Sequence, residues 1–318
     1  MENKARVLII DDVHELLVDG LKQLGYEVWY KPLATREELL HDITSVTGLI
    51  VRTKTKIDAE VLSAAPKLKF IGRAGAGLDN IDEFFAEQKQ IFVFNAGEAN
   101  SDAVGEHTIG MMLSLFAKIN KGDAEVRKMI WDRNGNRGIE LSGRTVGIIG
   151  YGNTGKAVAK KLSGFGVRVL AYDKYLQNYS DRWATEAGME EIFEQAELLT
   201  LHVPLTKETQ KMVDQSYINK FRNNIWLFNL SRGGVVKTDE IPELMESGKL
   251  LGVGLDVLEN ENIEKMNTEE RKWFTYIAGS DRTVITPHVA GWTLESYRKI
   301  SEVLLKKIKD LKLNISAS

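Results

Sequence analysis

The sequence predicts an α/β protein of two domains, and three observations lead there. Its 318 residues are about twice the ~150 of an ordinary domain. Short β-branched, apolar runs alternate with helix-length segments, which is the pattern of a parallel sheet with crossover helices. Apolar residues at 43% and charged residues at 27% are values of a globular chain that can bury a core in each domain.

The strand segments are 7–10, 49–51, 69–72, 91–95, 145–150, 168–173, 198–203, 225–230, 252–257 and 284–286. Between the fifth and sixth, Val158, Leu162 and Phe165 recur at i, i+4 and i+7, the apolar stripe of a helix that Gly164 or Gly166 can end. A long helix is expected to begin near Ser101, an N-cap residue followed by Asp102, and to run through Ile109, Met112, Leu113 and Phe116. Another begins near Thr293 and passes Leu294, Tyr297, Ile300, Leu304, Ile308 and Leu311. Its Lys306, Lys307 and Lys309 suit the negative end of a helix dipole. If the first long helix leaves one α/β unit and the last returns to it, 1–100 and 290–318 form one domain and 101–289 the other.

Composition excludes several function classes. Lys and Arg total 42 against 45 Asp and Glu, a formal charge of −3, so no global positive field is available for a nucleic-acid backbone. With no cysteine, disulfides, thiolate zinc sites and cysteine nucleophiles are impossible. The apolar run at 7–10 stops at Asp11 and Asp12, far short of a signal-peptide core, and no run approaches the ~18 residues of a membrane span. A cytoplasmic protein that binds neither nucleic acid nor membrane is expected.

The strongest motif is Gly150-Tyr151-Gly152-Asn153-Thr154-Gly155, set between a strand and an amphipathic helix. In that setting the first glycine permits a tight turn, the second lets backbone approach a pyrophosphate, and the third lets helix and strand pack closely. The N–H groups of the helix N-terminus then face the phosphates. Asp173 ends the next strand, 18 residues beyond Gly155, where a carboxylate accepts hydrogen bonds from the adenosine ribose and repels a 2′-phosphate. This argues for NAD over NADP.

A hydride-transferring enzyme acting on a hydroxy acid needs a cation for the carboxylate and a base for the hydroxyl proton. The bases available are His14, His41, His107, His202 and His288. His14 and His41 lie in polar, helix-like stretches and read as solvated. His107, in the apolar helix, reads as a satisfied core histidine, and His202 ends a strand as part of a cofactor wall. His288 follows Thr286-Pro287 at the carboxyl end of the last strand, where open α/β sheets bind ligands, and is the best candidate. Arg232 occupies a similar edge before Gly233-Gly234. Glu261, in a charged run after the strand at 252–257, reads by itself as solvated.

At these residues the chain resembles the D-isomer-specific 2-hydroxyacid dehydrogenase family, most closely its members that oxidise D-3-phosphoglycerate. The segments that carry the resemblance are 72–80, 100–106, 150–155, 229–234, 255–261 and 286–288, spread over nearly the whole chain. The resemblance implies a Rossmann NAD-binding domain inserted into a flavodoxin-like substrate domain. It implies a triad in which Arg232 pairs with the substrate carboxylate, His288 exchanges the hydroxyl proton and Glu261 holds His288. By the same carry-over, Asn153 and Thr154 flank the pyrophosphate beside Gly150, Gly152 and Gly155. Val203 and Pro204 wall the adenosine, and Leu230 and Ser231 line the nicotinamide side. Asp256 meets the carboxamide, Val104 lies under the ring, and Gly291 belongs to the cofactor site. Gly75 and Ala76 offer backbone N–H groups to the substrate carboxylate. Arg52 and Arg73 match phosphate-reading positions, and Arg133 matches one contributed across a homodimer interface.

The chain departs from the family pattern in places. Asn262 replaces a usual proline, the connection from there to 284 is longer and more charged, Ser231 replaces alanine, and Trp292 stands where smaller residues are common. A C-terminal regulatory domain after the last helix, and with it feedback control by serine, is not expected. Two alternatives remain open. One is a hydroxypyruvate or glyoxylate reductase with the same chemistry, and the other is an NAD-sensing binding protein such as the corepressors of this fold.

Overall fold

The computed structural model describes residues 4–311. The chain divides into two compact units, one comprising Met1–Asn100 and Trp292–Ser318 and the other Ser101–Gly291.

The first unit holds strands β1 (Arg6–Ile9), β2 (Glu27–Tyr30), β3 (Gly48–Val51), β4 (Phe70–Arg73) and β5 (Phe92–Asn95). They pair in parallel in the order β2-β1-β3-β4-β5, the flavodoxin-like order with its switch point between β1 and β3. Four helices connect them: α1 (Glu15–Gln23), α2 (Arg36–Asp42), α3 (Ala59–Ser63) and α4 (Glu83–Gln88). Each starts on a side-chain cap that accepts an otherwise unpaired backbone N–H. Asp58 and Asp82 cap α3 and α4, and Thr35 with Glu38 forms a reciprocal box on α2. His14 caps α1 through its ring, accepting from the Leu16 N–H at 3.2 Å. His14 is therefore a structural cap rather than the solvated group its polar surroundings suggest.

A long helix, α5, covers Gly97–Phe116. It starts four residues before Ser101, because the Asn95 side chain ending β5 accepts from the Gly97 N–H and begins the turn there. Ser101 then lies inside the helix. A shorter helix, α6 (Ile119–Arg127), follows.

The second unit is built on β6 (Thr145–Ile149), β7 (Arg168–Tyr172), β8 (Thr185–Glu186), β9 (Leu198–Leu201), β10 (Ile225–Asn229), β11 (Leu250–Leu255) and β12 (Thr283–Ile285). These form one parallel sheet in the order β12-β11-β10-β9-β6-β7-β8. The order reverses at β6 and β9, as in a doubly wound dinucleotide-binding sheet. The helices α7 (Asn153–Leu162), α8 (Met189–Gln195), α9 (Gln215–Ile218), α10 (Ile241–Glu246) and α11 (Thr268–Gly279) complete it. α7 ends at Leu162, so Phe165 packs on the core from the turn beyond. Gly166 adopts φ +64° there. The long, charged connection after Asn262 contains an ordered helix. Asn267 and Glu270 cap α11 reciprocally, and Trp273 and Ile277 bury its inner face.

The chain then returns to the first unit through α12 (Leu294–Asp310), capped by Thr293 as its sequence implies. Ile300, Leu304 and Ile308 are buried with Ile50 and Phe70. Gly20 on α1 leaves room for Leu305, since a Cβ there would lie 2.4 Å from its Cδ1. Truncating a fully buried leucine such as Leu304 to alanine costs about 2–5 kcal/mol. Among the described residues, no helix is long and apolar enough to cross a membrane, and no group of three or more His, Asp or Glu side chains is placed to hold a metal ion.

Candidate active site

The glycine turn sits between β6 and α7, and each glycine has a distinct physical reason. Gly150 adopts φ +92°, and a Cβ on it would lie 2.5 Å from the His202 carbonyl oxygen. A Cβ on Gly155 would lie 2.0 Å from the Gly150 carbonyl oxygen. Gly152 has no atom within 4 Å of that position, so its surface is open. The N-terminus of α7 carries no side-chain cap, leaving its first-turn N–H groups directed at that space. A tight turn, an open middle glycine and an uncapped helix end fit a dinucleotide pyrophosphate.

Asp173, one residue past β7, ties this turn to the next one. Its Oδ2 accepts from the Tyr151 N–H at 2.8 Å, and its Oδ1 from the N–H groups of Tyr175 and Leu176 at 3.0 and 3.2 Å. Tyr151 is buried, donates its hydroxyl to Asp181 and packs on the Tyr179 ring. Burial and the Asp181 carboxylate hold the Tyr151 hydroxyl well above the usual tyrosine range. Asn153 is exposed and Thr154 half-buried at the start of α7. Val203 is half-buried beside Gly150, and Pro204 is exposed. Val104 on α5 is buried. His202 is half-buried beside the turn, its Nε2 paired with the Thr200 hydroxyl at 2.9 Å. Its Nδ1 is buried without a partner, and burial pushes its pKa down to about 3.

Strand register brings the remaining candidates to one edge. Asn229, Leu255 and Ile285 lie in one row across β10, β11 and β12. Arg232, Asp256 and His288 follow that row by three, one and three residues, and Glu261 by six. The β10 turn is shaped by the buried Asn229, whose Nδ2 donates to the Arg232 carbonyl at 2.9 Å and whose Oδ1 accepts from the Ser231 N–H and hydroxyl. Leu230 and Ser231 are buried. A Cβ on Gly233 would lie 1.9 Å from the Leu258 carbonyl oxygen, so only glycine lets the Arg232 turn meet the segment leading to Glu261.

His288 Nδ1 lies 2.8 Å from Glu261 Oε1, and both side chains are about half exposed. The His288 backbone is left-handed, at φ +56°, a conformation that costs a non-glycine residue about 1–3 kcal/mol. Asp256, 1% exposed, offsets that cost. Its carbonyl accepts from the His288 N–H at 2.8 Å, and its carboxylate from the N–H groups of Val289 and Ala290, both at 2.9 Å. The Thr286 hydroxyl donates to the same carboxylate at 2.6 Å. Asp256 was expected only as a cofactor contact. This loop-holding network is invisible in the sequence, because its partners lie 30 or more positions away.

In the first unit, Arg52 and Arg73 stand at the carboxyl ends of β3 and β4, where Val51 pairs with Arg73. Arg52 stacks 4.1 Å from the Trp292 ring centroid, and Trp292 packs edge-on against Tyr297. Arg73 is 9% exposed and wraps under Gly75, whose Cβ would meet its guanidinium at 1.6 Å. Gly75 adopts φ +150°, and the Ala76 carbonyl accepts from the Asn95 amide. Burial pushes the carboxyl of Asp11 up despite Arg52, Lys54 and Arg73 nearby. Arg133 lies in an exposed stretch of the second unit with Met129 and Trp131, 93% and 79% exposed.

Residues 109–290 match the family model for the NAD-binding domain of the D-isomer-specific 2-hydroxyacid dehydrogenases. A D-3-phosphoglycerate dehydrogenase of Archaeoglobus fulgidus is 34% identical over 311 residues, covering 96% of this chain. The chain spans only 57% of that relative's length. A hydroxypyruvate reductase of Thermotoga maritima is 34% identical over 273 residues, 86% of this chain and 87% of that protein. Among solved structures, the D-lactate dehydrogenase of Aquifex aeolicus complexed with NAD and lactic acid aligns with a TM-score of 0.83 at 28% identity. The alignment covers 96% of this chain and 95% of that one.

Proposed function

The chain belongs to the D-isomer-specific 2-hydroxyacid dehydrogenase family, and we propose that within it the chain oxidises D-3-phosphoglycerate with NAD. The observation that carries the chemistry is the 2.8 Å contact between His288 and Glu261 on the sheet edge that also bears Arg232. NAD, when bound, supplies the acceptor for the hydride that leaves substrate C2. Gly150, Gly152 and Gly155 give its pyrophosphate room, with Asn153 and Thr154 beside it. Asp173 takes the ribose hydroxyls, Val203 and Pro204 flank the adenosine, and Val104, Leu230, Ser231 and Gly291 surround the nicotinamide. Asp256 Oδ2 accepts one backbone bond and retains an acceptor position for the carboxamide.

Arg232 binds the substrate carboxylate and polarises the C2 oxygen. With Nδ1 engaged by Glu261, His288 Nε2 takes the proton from the C2 hydroxyl as the carbon–oxygen double bond forms. Glu261 orients the ring and stabilises the charged imidazole that results. In the reverse direction His288 returns that proton.

The phosphate reading assigns Arg52 and Arg73 to the substrate phosphate, as bidentate arginines suit that group, and Gly75 and Ala76 to the carboxylate. Arg73 is buried, so Arg52, preset by Trp292, is the more accessible of the two. The exposed Met129 and Trp131 beside Arg133 support a homodimer, since apolar patches of this kind mark interfaces. Comparing NADH formation from D-3-phosphoglycerate with that from glycerate and lactate tests the substrate. Rates at least 100-fold higher with the phosphate are expected, and equal rates without it overturn the assignment. The second reading, a hydroxypyruvate reductase, is favoured by the Thermotoga maritima relative, 34% identical over 86% of this chain, and predicts faster reduction of hydroxypyruvate than oxidation of any phosphorylated acid. Turnover of either acid excludes a purely NAD-sensing protein.

A further inference from the structure

A second histidine reaches the loop that carries His288. His107 on α5 places Nε2 3.0 Å from Thr286 Oγ1 and 3.8 Å from Asp256 Oδ1. Thr286 has one hydroxyl proton, and an ionised carboxylate can only accept. That proton therefore lies on the 2.6 Å bond to Asp256, Thr286 Oγ1 accepts, and His107 Nε2 donates. The result is a one-way chain from His107 through Thr286 to a carboxylate that also holds the N–H groups of Val289 and Ala290. Its ends bracket His288, whose left-handed backbone needs support on both sides.

We propose that His107 is a positioning residue for His288, acting through Thr286 and Asp256. The inference rests on the proton-exchanging role given to His288 above. His107 fixes the Thr286 hydroxyl in one orientation and adds positive potential beside the buried Asp256 carboxylate. The carboxylate then keeps all three of its loop contacts, and His288 stays aimed at Glu261. Misplacing a catalytic group by about 1 Å costs on the order of 10²-fold in rate, so the effect falls on kcat rather than on substrate affinity.

The test compares His107→Leu, which removes the donor, with His107→Gln, whose amide N–H can replace it. Thr286→Val and Thr286→Ser form a second pair should the first leucine variant fail to fold. Turnover is measured with D-3-phosphoglycerate and NAD and with hydroxypyruvate and NADH. Hydrogen exchange of the Val289 and Ala290 amides is followed without substrate. The donor-deleting variants are expected to lose about 10- to 100-fold in kcat with KM within about threefold, and to exchange both amides at least tenfold faster. The conservative variants should recover most of both, and the kcat loss should vanish in a His288→Asn background. Unchanged exchange, or glutamine as poor as leucine, overturns the proposal. Wild-type protein inactive on both acids instead overturns the dehydrogenase reading, while the exchange measurement still decides the role of His107.

Discussion

His288 Nδ1 and Glu261 Oε1 stand 2.8 Å apart, joined across 27 positions by two adjacent strand ends. The contact commits one ring nitrogen to the carboxylate and, in the proposed mechanism, leaves the other for proton exchange. Glu261→Gln keeps the shape and removes the charge that stabilises a protonated imidazole, so kcat should fall by about 10²-fold or more with NADH binding unchanged. Steady-state kinetics beside an NADH fluorescence titration check this, and equal losses in both would assign Glu261 to the cofactor instead.

The glycine turn separates folding from binding. Gly155→Ala forces a Cβ to within 2.0 Å of the Gly150 carbonyl oxygen and should lower Tm by several degrees, as expected for overpacking of about 1–3 kcal/mol. Gly152→Ala meets no atom within 4 Å and should leave Tm unchanged while weakening NADH binding at least tenfold. Differential scanning calorimetry and fluorescence titration read the two effects apart.

Asp173, the ribose acceptor of the proposed function, is also a turn anchor, accepting from three backbone N–H groups. Asp173→Asn should retain part of the anchoring and relax the preference for NAD over NADP, whereas Asp173→Ala should also loosen the turn and weaken both cofactors. The ratio of kcat/KM with NAD to that with NADP measures the first effect. A ratio unaltered in both variants assigns ribose recognition to another group.

His202 makes stability depend on pH. Burial holds its folded-state pKa at about 3, below the ordinary 6.5, so below pH 6.5 the unfolded chain takes up a proton that the folded chain refuses. Its contribution is complete above pH 6.5 and is lost as pH falls toward 3, with a slope of at most ~1.4 kcal/mol per pH unit. Urea unfolding at pH 7 and pH 5 should show a smaller pH-dependent loss for His202→Gln than for wild type. Identical losses would place the titrating group elsewhere.

The parallel strands that build both sheets, the glycine turn and α12 were legible because periodicity and capping are local signals. β2 is less legible because Glu27–Tyr30 is a partly exposed edge strand whose apolar run, Val28 to Tyr30, is short and begins after a charge, and β8 because it has two residues. The start of α5 was misplaced because Ser101 is a good cap residue, yet Asn95 opens the turn first. His288 and Arg232 are legible as candidates from their places at strand ends, whereas Glu261 is named only through family resemblance, since alone it reads as a solvated charge. The network of His107, Thr286 and Asp256 spans 179 positions between its first two members and has no local signature.

The most direct measurement is NADH formation from D-3-phosphoglycerate and NAD by wild-type protein and by His288→Asn, each with a parallel NADH binding titration. The account predicts turnover by the wild type, a loss of about 10²–10⁴-fold in the variant and equal NADH affinity in both. Turnover in His288→Asn equal to wild type would contradict it.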